Sequence, residues 1–210
     1  MIQENPELFE LSMSEKTQPL MDLVKHHCEE NVKPIQAEYS ALQKEKEDRW
    51  SWHPRQIELM EGAKEKAREL GLWNFFLPDP DGNIGDGLTN LDYTYVATEI
   101  GKYPLASESM NCSAPDTGNM EVLERVGTED QKKQWLEPLL NGEIRSAYAM
   151  TEPNLASSDA KNISTSAVLD GDEWVINGEK FYISGAGDPR CKIMIAVSYT
   201  HLTLPTKQPV

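Results

Sequence analysis

Positive charge is scarce in this sequence. Its 210 residues hold 20 Lys and Arg against 35 Asp and Glu, a formal charge of −15. A surface of that sign does not neutralise phosphates, which argues against a nucleic-acid or anionic-membrane binder. A local basic patch stays compatible with a small phosphate-bearing ligand. Long apolar runs are missing as well: the mean hydropathy is −0.57, and no stretch approaches the ~20 apolar residues of a membrane span. The N-terminus, MIQENPELFELSMSEK, is acidic and has no apolar centre, so it does not read as a secretory signal. Cysteine is rare and odd in number. Cys28, Cys112 and Cys191 lie far apart without metal-ligand spacing, so a disulfide framework is not expected and a reducing, cytoplasmic setting is the default. Internal repeats and low-complexity tracts are also absent.

What is present suits a soluble globular chain of one large or two small domains, with 39% hydrophobic and 26% charged residues. Residues 17 to 140 read as helices with short punctuation. Leu20, Val24, Cys28, Val32, Ile35, Tyr39 and Leu42 recur at steps of three and four, one inward stripe on a long helix or a pair of helices. Pro34 lies inside that pattern and removes a backbone donor, so a kink or break is expected near Lys33 at a cost of ~3 kcal/mol. Ser51 or His53, followed by Pro54, opens a second helix carrying Ile57, Met60, Ala63, Ala67 and Leu70 to a stop at Gly71. After a loop rich in Pro, Asp and Gly from Leu77 to Leu88, Thr89 with Asp92 resembles a capping box, and Thr128 with Gln131 caps a further helix. Trp135, Leu136, Leu139 and Leu140 are its expected inward face.

From Glu143 the period changes. Ile144 to Met150, Ser166 to Leu169, Trp174 to Ile176, Phe181 to Ser184 and Lys192 to Val197 have strand character, and Asn177-Gly178 is a hairpin signal. The expected fold class is therefore α+β. An N-terminal all-α domain over residues 1–142 precedes an incomplete antiparallel β domain over 143–197. Residues 198–210 (SYTHLTLPTKQPV) have no interpretable period, and no acidic residue follows Asp188. The run from Val197 to Lys207 resembles the translated read-through of a sequencing-library adaptor, so a native chain interrupted at or near Val197 is expected and His201 carries no functional weight.

Several patterns point to chemistry. Gly185-Ala186-Gly187 begins like a dinucleotide fingerprint, but the third glycine is missing and Pro189 obstructs the helix that must follow. Asp79, Asp81 and Asn83 occupy the first, third and fifth positions of a calcium loop. Ile84 stands where Gly is needed and Asn90 where a bidentate Glu belongs, so a solvated acidic turn is expected and no metal site. His26 and His27 are adjacent and point about 100° apart on a helix, which forbids joint chelation. His53 beside Trp50 and Trp52 reads as a helix-entry device. In Ala147 to Ala160, AYAMTEPNLASSDA, a strand ends at Glu152-Pro153 and a loop with Ser157 and Ser158 follows, an arrangement open to two readings: an anion nest or an exposed polar loop.

That segment, together with INGEKFYISGAG from Ile176 and the upstream stretches GLTNLDY (Gly87 to Tyr93) and NCSAPDTGNM (Asn111 to Met120), resembles the acyl-CoA dehydrogenase family. The passage GTEDQKKQWLEPLLNGEIRSAYAMTEP is similar to the family's helix-to-strand connection. The A-S-S-D loop and the NCSAPDTGNM stretch resemble most the branch called family members ten and eleven. The likeness runs over roughly residues 15 to 197.

The resemblance implies a cofactor, FAD, and a site. Tyr148, Met150 and Thr151 are implied to lie against the isoalloxazine ring, with Thr151 and nearby backbone groups on its pyrimidine edge. Ser157 and Ser158 match the end of the T-E-P loop, and Ser158 matches the serine that approaches the flavin pyrophosphate and the CoA part of the substrate. Tyr182, Ile183 and Ser184 match the W-I-T strand, with Tyr in place of Trp and Ser in place of Thr. The implied partners are an acyl-CoA substrate, an electron-transfer flavoprotein and further copies of the full-length chain, with no nucleic acid and no membrane span. The implied reaction is α,β-dehydrogenation in fatty-acid β-oxidation. Its catalytic glutamate belongs to a C-terminal helical region with no counterpart in this sequence, and Glu152 is not assigned as base. The isolated chain is therefore expected to be inactive. The alternatives are a non-catalytic α+β interaction module that keeps the fold and, more weakly, an acidic calcium-binding module using Asp79 to Asp86.

Overall fold

A computed structural model of the chain describes residues 11–46, 48–77 and 88–199. The acidic loop with Asp79, Asp81, Asn83 and Gly87, and the tail with His201, lie outside the described residues. The chain divides into two compact units, Met1–Thr117 and Gly118–Val210. Among the described residues no helix is long and apolar enough to cross a membrane.

The first unit is helical. Helices α1 (Gln18–His27) and α2 (Lys33–Lys44) are joined without interruption by one π turn, Cys28–Val32, closed by a hydrogen bond from the Lys33 amide to the Cys28 carbonyl. Of the kink or break expected near Lys33, no break occurs, and the disturbance takes the form of this π turn ending at Lys33. A π turn takes one extra residue per turn and shifts the bonding frame just ahead of Pro34, which has no N–H to offer. It also accommodates the successive four-residue steps of Val24, Cys28 and Val32, all fully buried. The same device recurs in the second unit. There the π turn Lys132–Leu136 precedes Pro138 and separates α7 (Glu129–Gln131) from α8 (Glu137–Leu140).

Helix α3 (Pro54–Glu69) opens on a capping box in which His53 Nδ1 accepts from the Arg55 amide and the Gln56 side chain accepts from the His53 amide. His53 is a helix-entry device, as its sequence context implies. The inward face of α3 is Gln56, Leu59, Met60, Ala63, Lys64 and Ala67, whereas Ile57, expected inward, is half-exposed. Buried Gln56 donates to the Tyr39 carbonyl and the Gln43 side chain at 3.0 Å each, so its polar group is satisfied. Helix α4 (Asn90–Ile100) is capped by Thr89. Asp92 on its first turn accepts from the Ser14 amide at 2.8 Å and the Thr89 hydroxyl at 2.8 Å. Burial alone would raise the Asp92 pKa, but these bonds outweigh it and hold it at about 2. The short α5 (Ala106–Ser109) supplies Ser109 to buried His27 on α1, with His27 Nε2 2.9 Å from Ser109 Oγ.

Helix α6 (Asp116–Val126) starts at the division, and the second unit continues through α7 and α8 into strands. This unit begins well before the change of period at 143 because α6 is tied to the first strand. Buried Asn119 donates to Ser146 Oγ at 2.8 Å and to the Ala147 carbonyl at 3.1 Å. Strands β2 (Ser166–Asp170) and β3 (Glu173–Asn177) form an antiparallel hairpin. Its turn is at Gly171-Asp172, with Gly171 at φ +64, not at Asn177-Gly178 as expected. Gly178 serves another purpose: a Cβ there would sit 2.3 Å from Thr165 Oγ1.

Strands β1 (Arg145–Ala149) and β4 (Cys191–Ala196) pair in parallel, the chain having crossed over through the hairpin and the loop beyond it. Tyr199, just past β4, bridges to Ser166 and bonds to Thr165 and Ala167. The segment from Phe181 to Ser184 is not a strand. Tyr182 has φ +56, incompatible with an extended run, and Gly185 at φ +84 turns the chain toward β4. The hairpin's Val168, Leu169, Trp174, Val175 and Ile176 are each more than half exposed.

Candidate functional site

The residues singled out from sequence fall on two segments of the second unit. One is the end of β1 and its loop, Tyr148 to Ser158. The other is the irregular run Phe181 to Ser184. Although some thirty residues apart in sequence, they are stitched together. The Phe181 amide donates to the Thr151 carbonyl at 3.0 Å, and Lys180 Nζ donates to the Met150 carbonyl at 2.9 Å. Tyr148, Thr151, Ser158, Tyr182 and Ser184 are exposed, while Met150 and Ile183 are half-buried. Tyr182 is 84% exposed. Its ring lies on that of Phe181 with centroids 3.9 Å apart. A left-handed tyrosine costs on the order of 1–2 kcal/mol, and here the strain turns a large aromatic ring outward.

Ser157 is different. It is buried, and its hydroxyl accepts from the Glu152 amide at 2.7 Å and donates to the Leu155 carbonyl at 3.2 Å. Its side chain folds the loop, whereas the neighbouring Ser158 is exposed.

Glu152, left without a role by sequence reasoning, is the most heavily bonded side chain of this region. It is 4% exposed. Its Oε1 accepts from the Thr165 amide at 2.9 Å, the Thr165 hydroxyl at 2.5 Å and Lys180 Nζ at 2.9 Å. Its Oε2 accepts from the Ser164 amide at 2.8 Å and the Ser164 hydroxyl at 2.7 Å. Burial pushes the carboxyl upward, but the donors from Thr165, Ser164 and Lys180 outweigh it and hold the group well below the ordinary carboxylate range. Two oxygens offer about four lone-pair positions and here meet five donors. Glu152 is therefore held as an anion at neutral pH, with its lone pairs engaged by these donors. The one sequence signal for this network was the Lys of the INGEK motif; nothing marked Ser164 and Thr165.

The donor set fits a flavin. Such a ring needs an aromatic wall and hydroxyl or amide donors at its polar edge, and the exposed rings of Tyr148 and Tyr182 and hydroxyls of Thr151, Ser158 and Ser184 are of those kinds. Burial pushes the thiols of Cys28 and Cys112, both in the first unit, up to about 12. Among the described residues no group of three His, Cys, Asp or Glu side chains is placed to hold a metal ion.

Comparison with known proteins gives a consistent outcome. The family model for the acyl-CoA dehydrogenase N-terminal domain matches residues 14–143, and that for the middle domain matches residues 147–208. The chain is 46% identical over 199 residues to acyl-CoA dehydrogenase family member 10 of Mus musculus, covering 93% of this chain and 18% of that protein. A solved structure described as a putative acyl-CoA dehydrogenase from Mycobacterium abscessus aligns with a TM-score of 0.76 and 42% identity, over 87% of this chain and 46% of that one. A glutaryl-CoA dehydrogenase from Mycobacterium smegmatis, solved in complex with FADH2, shares the fold at a TM-score of 0.57 and 22% identity, over 84% of this chain and 42% of that one. The chain thus spans less than half the length of these relatives.

Proposed function

Because the chain belongs to the acyl-CoA dehydrogenase family, we propose that it is the N-terminal and partial middle region of an FAD-dependent enzyme that desaturates an acyl-CoA thioester between its α and β carbons. The observation that carries this reading is the joining of the 148–151 and 181–184 segments by the Phe181–Thr151 and Lys180–Met150 bonds, with rings and hydroxyls left exposed on both. In this reading Tyr148, Met150 and Thr151 pack against one part of the flavin ring, and the Thr151 hydroxyl donates to its polar edge. Tyr182, Ile183 and Ser184 supply the second wall, and Ser158 meets the pyrophosphate and the CoA moiety. Bound FAD supplies the hydride acceptor for the β-hydrogen. Each hydroxyl contact contributes ~1 kcal/mol to cofactor binding.

No residue of this chain is assigned as the base that removes the α-proton. Glu152, the buried carboxylate of the loop, is committed to five donors. Catalysis, transfer of electrons to an electron-transfer flavoprotein and assembly with further copies are accordingly proposed for a longer protein that contains this region. The test has two arms. Titrating FAD into the purified 210-residue chain should perturb the flavin spectrum with saturation, and the Thr151→Ala and Ser184→Ala variants should weaken the binding several-fold. Turnover of an acyl-CoA with an artificial electron acceptor should be absent from the chain alone, and its presence would refute the assignment of the base elsewhere.

The exposed apolar hairpin residues favour a second reading, a non-catalytic interaction module. A stably folded, colourless chain that leaves added FAD unperturbed is the result expected of it.

A further inference from the structure

We propose that Glu152 is a positioning residue whose carboxylate holds the two flavin-facing segments in register before the cofactor arrives. This rests on the flavin reading above. The carboxylate joins three stretches that are distant in sequence. It belongs to the loop after β1, takes the amides and hydroxyls of Ser164 and Thr165 at the entry to β2, and takes Lys180 just ahead of Tyr182. Lys180 closes the ring by donating to the Met150 carbonyl, so the same ammonium touches the loop at two points. The Glu152 amide meanwhile donates to Ser157 Oγ, which shapes the loop on its other side.

The chemistry of the donors makes the role specific to a carboxylate. Every group around Glu152 presents a hydrogen, so both oxygens must accept. A glutamine of the same shape would turn an NH2 toward the Ser164 amide and hydroxyl or toward the Thr165 and Lys180 donors, setting donor against donor. Gly178 belongs to the same device. Its missing Cβ leaves room for the Thr165 side chain that donates to Oε1. Lys180 is 14% and Glu152 3% exposed at the side chain, so solvent does little to screen the pair.

The experiment uses the 210-residue chain with Glu152→Gln, Lys180→Met, Lys180→Arg and the Glu152→Gln/Lys180→Met double variant. Amide hydrogen exchange without cofactor is the first readout. Expected is a tenfold or greater rise in exchange at Ser164, Thr165 and Phe181 in E152Q, with the amides of α6 and of the β1–β4 pairing unchanged. FAD affinity is the second readout. Expected is at least tenfold weaker binding in E152Q, a smaller loss in K180M, recovery in K180R, and a double variant no weaker than E152Q.

Wild-type exchange rates in E152Q overturn the proposal. So does additive weakening in the double variant, because the two groups would then act independently. If E152Q does not fold, the contrast between K180M and K180R decides, and equal affinity in those two overturns it. Failure of the wild-type chain to bind FAD refutes the flavin reading, and the exchange data still decide whether Glu152 locks the segments.

Discussion

Lowering the pH from 7 to 5 should destabilise the first unit through one buried histidine. His27 is fully buried on α1. The single proton of Ser109 Oγ is donated to the Ala106 carbonyl at 2.8 Å, so His27 Nε2, 2.9 Å away, must carry hydrogen and donate to that oxygen. Nδ1 is then a lone pair facing the Asn31 amide nitrogen at 3.3 Å. Protonation would place N–H against N–H on a buried ring. Burial first, and the neighbouring charge of His26 second, lower the His27 pKa from 6.5 to about 4. Between these values the unfolded chain binds the proton and the folded one does not, so stability is complete above pH 6.5 and falls as pH drops toward 4. Linkage gives a loss of about 2 kcal/mol between pH 7 and 5, approaching about 3 kcal/mol below pH 4. Asp92 titrates near 2 and contributes little slope in this window. Urea unfolding followed by tryptophan fluorescence at both pH values measures the loss. The His27→Gln variant, although less stable throughout, should lose about 2 kcal/mol less than wild type between them. An identical pH dependence in the two proteins would falsify the assignment of a neutral, Nε2-protonated His27.

Three further perturbations follow from the packing. Gly178→Ala places a methyl 2.3 Å from Thr165 Oγ1 and 2.7 Å from its Cβ. It should cost about 1–3 kcal/mol in chemical denaturation, and an unchanged midpoint would show that Thr165 has room to move. Phe75→Ala empties one of the largest fully buried side-chain sites of the first unit, with an expected loss of ~3–5 kcal/mol; a cost near 1 kcal/mol would mean that the site collapses around the missing ring. Thr128→Ala removes the capping box at the start of α7. It should cost about 1 kcal/mol, seen as faster amide exchange over the first turn of that helix, and protection equal to wild type would refute the cap's contribution.

The sequence by itself determined the local structure wherever one residue or one short spacing carries the cause. Thr128 with Gln131 and His53 with Pro54 mark helix starts because a free side-chain acceptor meets unbonded amides. Gly71 marks a stop because it takes φ +73. The apolar steps along α1 and α2 determined a single inward stripe, the change of period at Glu143 determined the α+β class, and the family motifs singled out the 148–158 and 181–184 segments. Pro34 was legible as a disturbance but not as a π turn, since its consequence depends on whether burial of Val24, Cys28 and Val32 repays an extra residue in the frame. Asn177-Gly178 read as a hairpin on propensity alone, yet Gly171 makes the turn and Gly178 is small because Thr165 approaches it from thirteen residues upstream. Phe181 to Ser184 read as a strand from its apolar, aromatic content, but among the described residues no strand pairs with it and Tyr182 adopts a left-handed backbone instead. The role of Glu152 was hidden for the same reason. Its partners Ser164, Thr165 and Lys180 are ordinary polar residues in sequence. They become one site when the chain crosses over and brings three separate loops around a single buried charge, which must find donors wherever the fold supplies them.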